Sequence, residues 1–142
     1  MYLIVTRSFP PEIGGMQNLM WGLANELSKN FMIKVFADYY EDHKIFDEQV
    51  SFSIERVGGI KLLRKYRKAQ LINEFIKEDK IEGIIADHWK SLELLKTSKK
   101  KICLIHGKEI NHKKGTSLNK RVLNVLNNVE TIVANSEYTK DL

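Results

Sequence analysis

Cysteine is nearly missing from this 142-residue chain. The single Cys103 cannot form an internal disulfide, which suits a reducing, cytosolic setting. No apolar run exceeds five residues, far short of the roughly 20 needed to span a bilayer. Met1 leads straight into an apolar stretch without the basic region and long apolar run of a secretory leader. The histidines His43, His88, His106 and His112 are scattered, with no cysteine or carboxylate cluster at metal-ligand spacing, so no metal is expected. Three nucleotide or phosphate signatures are also absent. No G-x-G-x-x-G follows the first apolar run, which disfavours a dinucleotide-binding domain, and there is no G-x-x-x-x-G-K-[ST] loop. Thr6-Arg7-Ser8 stands where a phosphoacceptor receiver domain would carry an acidic pair.

What is present fits one globular domain over residues 1–142. Hydrophobic residues make up 43% and charged residues 29%, a balance that supports a packed core and excludes a disordered chain. The net charge of +5 suits an anionic partner, whether nucleic acid, a membrane surface or a phosphorylated substrate. The cations cluster at residues 61–68, at 96–101 and at Lys108, Lys113 and Lys114. Such runs are usually solvated faces. In the 60s they accompany Leu62, Leu63 and Tyr66, which suits docking on an anionic membrane surface. Nucleic acid is disfavoured, because no basic-aromatic platform or recognition helix is visible.

Apolar runs alternate with amphipathic ones. Residues 2–5 show no polar alternation and read as a buried strand. Pro10-Pro11 and Gly14-Gly15 then lead into a helix with Met16, Leu19, Met20, Leu23, Ala24 and Leu27 on one face. Residues 31–37, 50–57, 82–87, 101–106 and 131–134 read as further strands. Residues 60–80 form a long helix whose apolar face is Leu62, Leu63, Tyr66, Ala69, Ile72, Phe75 and Ile76. Residues 89–97 form a short helix, Thr116 or Ser117 caps another, and Ser136 caps one that begins just before the last residue, Leu142. Residues 38–48 read as a polar loop. The alternation predicts a Rossmann-like, doubly wound parallel α/β sheet, with ligands outside the carboxyl ends of its strands. A sequence that stops as a capped helix begins is expected to be a fragment of a longer protein.

The candidate site residues sit at those strand ends. Gly14 and Gly15 leave room for a ligand at the first unpaired N–H groups of a helix, where a phosphate is a natural guest. They equally well serve as a tight turn. His106 can donate to a sugar hydroxyl or stabilise developing charge, or it can simply satisfy loop carbonyls. Gly107 permits close backbone approach, and Glu109 can accept from hydroxyls or be plain surface. In Asp87-His88-Trp89, the indole can stack on a sugar face or an acceptor lipid, although an aromatic at a helix start is more often partial core.

Phe9-Pro10-Pro11-(two residues)-Gly14-Gly15, followed by a helix with Leu23-Ala24-(two residues)-Leu27, resembles the N-terminal glycine loop of GT-B glycosyltransferases. It is most similar to that of the large retaining family 4. His106-Gly107-Lys108-Glu109 and Ile132-Val133-Ala134-Asn135-Ser136-(two residues)-Thr139 agree in order and in strand-end position. The resemblance implies one half of a GT-B fold: the N-terminal, acceptor-side domain of an enzyme moving sugar from a nucleotide-sugar donor to a glycan or glycolipid. It implies Gly14 and Gly15 against the donor diphosphate and His106 as the catalytic residue near the reacting carbon. Gly107, Glu109, His88 and Trp89 would face the sugar or acceptor. It also implies metal-independent, retaining transfer and no resident cofactor, in the cytoplasm or at the inner face of the membrane. The family's C-terminal glutamate motif and basic pair have no counterpart here, so the chain alone is expected to be inactive. The alternative is a non-catalytic acceptor- or partner-binding subunit of a split glycosyltransferase.

Overall fold

The computed structural model describes residues 1–78 and 80–142. The strands are β1 (Tyr2–Val5), β2 (Ile33–Asp38), β3 (Ser53–Val57), β4 (Gly83–Ala86), β5 (Lys100–Ile105) and β6 (Thr131–Ala134). They make one parallel sheet in the order β3-β2-β1-β4-β5-β6. The connections carry α1 (Gly15–Ser28), α2 (His43–Gln49), α3 (Lys61–Glu78), α4 (Trp89–Leu92), α5 (Ser117–Leu126) and α6 (Glu137–Lys140). This is the Rossmann-like doubly wound architecture. The order runs outward from β1 on one side and from β4 on the other, so the crevice at the topological switch point opens between these two strands.

Strand residues alternate between two cores. Leu3, Val5, Phe36, Ile84 and Ile105 face one layer with Ile72 of α3, Trp89 and Leu92 of α4, and Val122 and Val125 of α5. Ile4, Val35, Ala37, Ile85 and Leu104 face the other with Met20 and Ala24 of α1, Phe9 and Phe52. Burial on both faces is why the central strands read as continuous apolar runs. Cys103 lies in the first layer, and its thiol is pushed up to about 12, by burial and then by the Asp87 and Glu109 carboxylates. It is an inert core residue.

Beyond shifts of one or two residues at the ends of β2, β4 and β5, the structure departs from the sequence expectations in several elements. The stretch expected as a loop at 38–48 contains α2, held by Asp47, which pairs with His43 at 3.0 Å and with Arg56 of β3 at 2.6 Å. Phe46 of α2 packs edge-on against Phe9, 6.1 Å between centroids. A helix this short lacks the several turns from which hydrophobic periodicity is read. In α1, Leu19 is 46% exposed whereas Gln17 is buried. In α3 the expected apolar face splits: Ile72 is buried, but Leu62, Leu63 and Tyr66 are 80%, 59% and 53% exposed. Burial on this helix begins at Lys68, so the apolar side chains of its first two turns stay more than half exposed. Finally, the short helix ends at Leu92 and β3 starts at Ser53, both shorter than expected. The expected end of α3 at Lys80 runs across residue 79, outside the described residues.

The split face of α3 has a measurable consequence. In urea unfolding, Ile72→Ala is expected to cost about 2–5 kcal/mol, because it empties a fully buried position. Leu63→Ala, on the exposed half, should stay within about 0.5 kcal/mol of the parent protein. Equal losses would show that both halves are covered in solution.

Candidate functional site

The register of β1 with β4 pairs Val5 with Ala86, so Thr6 and Asp87 leave the sheet side by side. Both are buried, and the Thr6 hydroxyl donates to Asp87 Oδ2 at 2.8 Å. The Arg7 backbone N–H donates to the same oxygen at 2.9 Å, and Ser91 Oγ of α4 donates to Oδ1 at 2.8 Å. One carboxylate thus ties the loop after β1 to the start of α4. Hydrogen bonds to an ionised acceptor are the strong ones, which stiffens this rim. Asp87 was not among the site residues expected from sequence. A carboxylate directly after an apolar strand run was its one visible signal.

His106 follows β5, and its Nε2 lies 3.0 Å from the Asp87 carbonyl. A carbonyl only accepts, so Nε2 carries a proton, and Nδ1 is the ring's remaining polar atom. The His106 backbone N–H donates to Glu109 Oε1 at 2.5 Å, folding the loop back on itself. His106 and Glu109 line a cavity of about 510 Å³ with Arg7, Ser8, Met16, Asp87, His88 and Lys108. This lies within the range of small-ligand sites, at the carboxyl ends of β1, β4 and β5.

His88 lines the same cavity but is committed to structure. Its Nδ1 accepts from the Lys90 N–H at 3.0 Å, capping α4. Burial, then the positive charges of Arg7 and Lys90 and the nearby His106, lower its pKa to about 3, so the ring is neutral and free to accept.

Trp89 does not serve as a stacking platform here. It is fully buried in the core, and its indole N–H donates to the Glu109 carbonyl at 2.9 Å. A ring with no exposed face braces the His106 loop from beneath. Gly107 also turns away from the role expected of it. With φ at 98° it needs the freedom of glycine, and its open side is taken by Thr139, whose Oγ1 would lie 3.0 Å from an added Cβ. The close approach is protein against protein.

Gly14 and Gly15 do not line the cavity themselves; they directly precede Met16, which does. Gly14 is extended, with φ at 168°, and neither glycine lies in the left-handed region. A Cβ on Gly14 would fall 2.3 Å from Gln17 Oε1, whereas one on Gly15 would meet nothing within 4 Å. α1 has no side-chain cap and no acidic residue in its first turn. α4, α5 and α6 are capped by His88, Thr116 and Ser136. The N-terminal N–H groups of α1 therefore lack a side-chain acceptor and favour an anion.

Lys68, read from sequence as part of a solvated basic face, is buried. Its ammonium donates to the Thr6 carbonyl at 2.6 Å and to Asp38 Oδ1 at 2.5 Å. Burial lowers its pKa, and Asp38 opposes that shift.

The lowered His88 pKa sets a pH dependence. With the folded value near 3 and the ordinary value 6.5, the unfolded chain binds the proton first as pH falls. His88 therefore favours the fold fully above about pH 6.5, and this is lost progressively toward pH 3. His88→Asn keeps an oxygen to cap α4 and removes the titration. Urea midpoints at pH 7 and 4.5 should fall less in the variant than in the parent, and equal falls would remove His88 as the cause.

No protein-family model and no curated protein matches the chain. Among solved structures, the fold is similar to the crystal structure of Anabaena HepE in complex with UDP. The TM-score is 0.66 over 99% of this chain, at 15% sequence identity. This chain covers 39% of the HepE chain, so it spans about two fifths of that protein's length. The likeness is one of fold: the doubly wound sheet seen here recurs in a protein that holds a nucleoside diphosphate.

Proposed function

We propose that this chain is the N-terminal, acceptor-side domain of a retaining glycosyltransferase of the GT-B type, similar to family 4. It would act on a nucleotide-sugar donor and a glycan or glycolipid acceptor. The observation that carries the reading is the cavity at the switch point, where the Asp87 carbonyl orients His106 beside the loop that leads into α1. The uncapped N-terminus of α1, the motifs around Gly14-Gly15, His106 and Ser136, and the likeness to a UDP-bound structure support it.

On this reading the backbone N–H groups after Gly14 meet the donor diphosphate, with no side chain on Gly15 to obstruct it. His106 faces the sugar. With its Nε2 proton held by the Asp87 carbonyl, Nδ1 is the ring atom left to meet the sugar. Glu109, whose Oε1 already accepts from the His106 backbone, has its second oxygen for sugar or acceptor hydroxyls. The donor base and most donor contacts fall to a second domain, and the chain alone is inactive.

Transfer from a panel of nucleotide sugars by the natural polypeptide carrying this domain tests the proposal. His106→Ala should lower kcat by roughly 10²–10³-fold. Gly15→Val should abolish donor binding while leaving the fold intact, since nothing lies within 4 Å of the added Cβ. Ser136→Ala should chiefly cost about 1 kcal/mol of stability through loss of a helix cap. Equal activity losses from the last two, at matched folding, would overturn the diphosphate assignment. Transfer by the isolated chain at the rate of a two-domain relative would overturn the division between domains. Acceptor binding without any use of nucleotide sugars would leave a non-catalytic binding subunit as the function.

A further inference from the structure

A second cavity, of about 470 Å³, lies between α3 and α4 on the other side of Arg7 from the His106 site. Seven cationic side chains and one carboxylate line it, an excess larger than the +5 of the whole chain. The positive charge of this protein is therefore concentrated in one cleft, and the rest of the molecule is close to neutral.

The carboxylate is already used. Asp38 takes Lys68 at 2.5 Å and Arg64 at 3.3 Å. At the far wall Arg121 is held by Glu93, at 2.7 and 2.9 Å. Arg7, Lys61, Lys65 and Lys90 have no carboxylate partner among the described residues. Arg64 Nε is buried in the same wall without a hydrogen-bond partner. Like charges gathered in a concave site repel one another, and their field is focused by the low-dielectric walls. Leu62, Leu94 and Ile72 supply apolar lining. Ammonium and guanidinium groups without a carboxylate partner, around an apolar-walled pocket, match a compact, multiply charged oxyanion attached to an uncharged body.

We infer that the α3–α4 cleft is a binding site for the phosphate group of a phosphate ester, held by Arg7, Lys61, Lys65 and Lys90. Anion binding here stands independently of the glycosyltransferase reading. Its role as the acceptor's subsite rests on that reading, and it follows from the shared wall: Arg7 lines both cavities, so a phosphate in the cleft sits beside the site of His106. The acceptor is then a phosphorylated compound, either soluble or the headgroup of a lipid.

The probe is glycerol 3-phosphate, titrated into the chain by calorimetry, with glycerol as the uncharged control. Phosphatidic acid vesicles in a phosphatidylcholine background form the lipid arm. Saturable binding of glycerol 3-phosphate and none of glycerol is expected. Lys65→Gln/Lys90→Gln should weaken it by roughly tenfold to a hundredfold, at an unchanged urea midpoint. Lys96→Gln/Lys99→Gln, outside the cleft, and Gly15→Val, at the start of α1, should leave it intact. If vesicles also bind and lose binding in the cleft variant, the phosphate is lipid-borne; if only glycerol 3-phosphate binds, it is soluble. Vesicle binding without glycerol 3-phosphate binding overturns the inference, since it reports surface charge alone. So does equal weakening by both lysine pairs, or no binding of either ligand. UDP titrated into the natural polypeptide carrying this domain separates the two proposals. Phosphate ester bound without UDP removes the donor assignment and leaves the cleft, and UDP bound without the ester does the reverse.

Discussion

The buried carboxylate of Asp87 is the constraint on which the functional edge of this sheet depends. Its two oxygens collect the Thr6 hydroxyl, the Arg7 backbone N–H and the Ser91 hydroxyl, while its backbone carbonyl receives the ring of His106. Burying a charge is expensive unless its hydrogen-bonding capacity is met. Here the donors come from the loop after β1 and from α4, so satisfying one carboxylate fixes the end of β1 against the end of β4, and the carbonyl of the same residue adds the end of β5. Lys68 does the complementary work one strand further along. It joins the Thr6 carbonyl to Asp38 at the end of β2 and so closes the rim with a buried cation.

That rim separates two cavities of different character. On one side His106, His88 and Glu109 present hydrogen-bonding groups with their partners and tautomers largely assigned. On the other, cations outnumber acids and several have no counter-charge among the described residues. Arg7 borders both. Its backbone is pinned by Asp87, and its exposed side chain is left for whatever occupies the crevice. The acids of this rim go to structural cations, and other cations are left without a carboxylate at a concave surface.

Much of the fold was legible because the central parallel strands are buried on both faces, while the edge strand β6, with Ile132 and Val133 about half exposed, still reads as an apolar run. Tyr2–Val5 and Thr131–Ala134 match the expected bounds, and the Ser136 cap is present, donated to by the Thr139 N–H. The misreadings share a cause. Hydrophobic periodicity marks a helix but does not say how much of its length meets the sheet, so the continuous apolar face expected of α3 is buried only in part, and Leu62, Leu63 and Tyr66 remain exposed. Composition likewise assigned Lys68 to solvent, when its depth along α3 puts the ammonium beneath the sheet's rim.

The sequence by itself determined the doubly wound class, because alternating apolar runs and amphipathic helices have few other ways to bury both. It also placed Gly15, His88, His106 and Glu109 near the carboxyl ends of strands, since each stands a few residues from an apolar run. Only the tertiary structure decided what these residues do there. Strand register brought Thr6 beside Asp87, and the packing of α4 buried Trp89 and made His88 a cap. The approach of Thr139 filled the space that Gly107 leaves open. The basic cleft likewise draws on Arg7, α3, Lys90 and Arg121, which lie far apart in the chain. Apart from the His88 cap, a bond to Lys90 two residues on, these outcomes are contacts between segments distant in sequence, and no local pattern of side chains encodes such a contact.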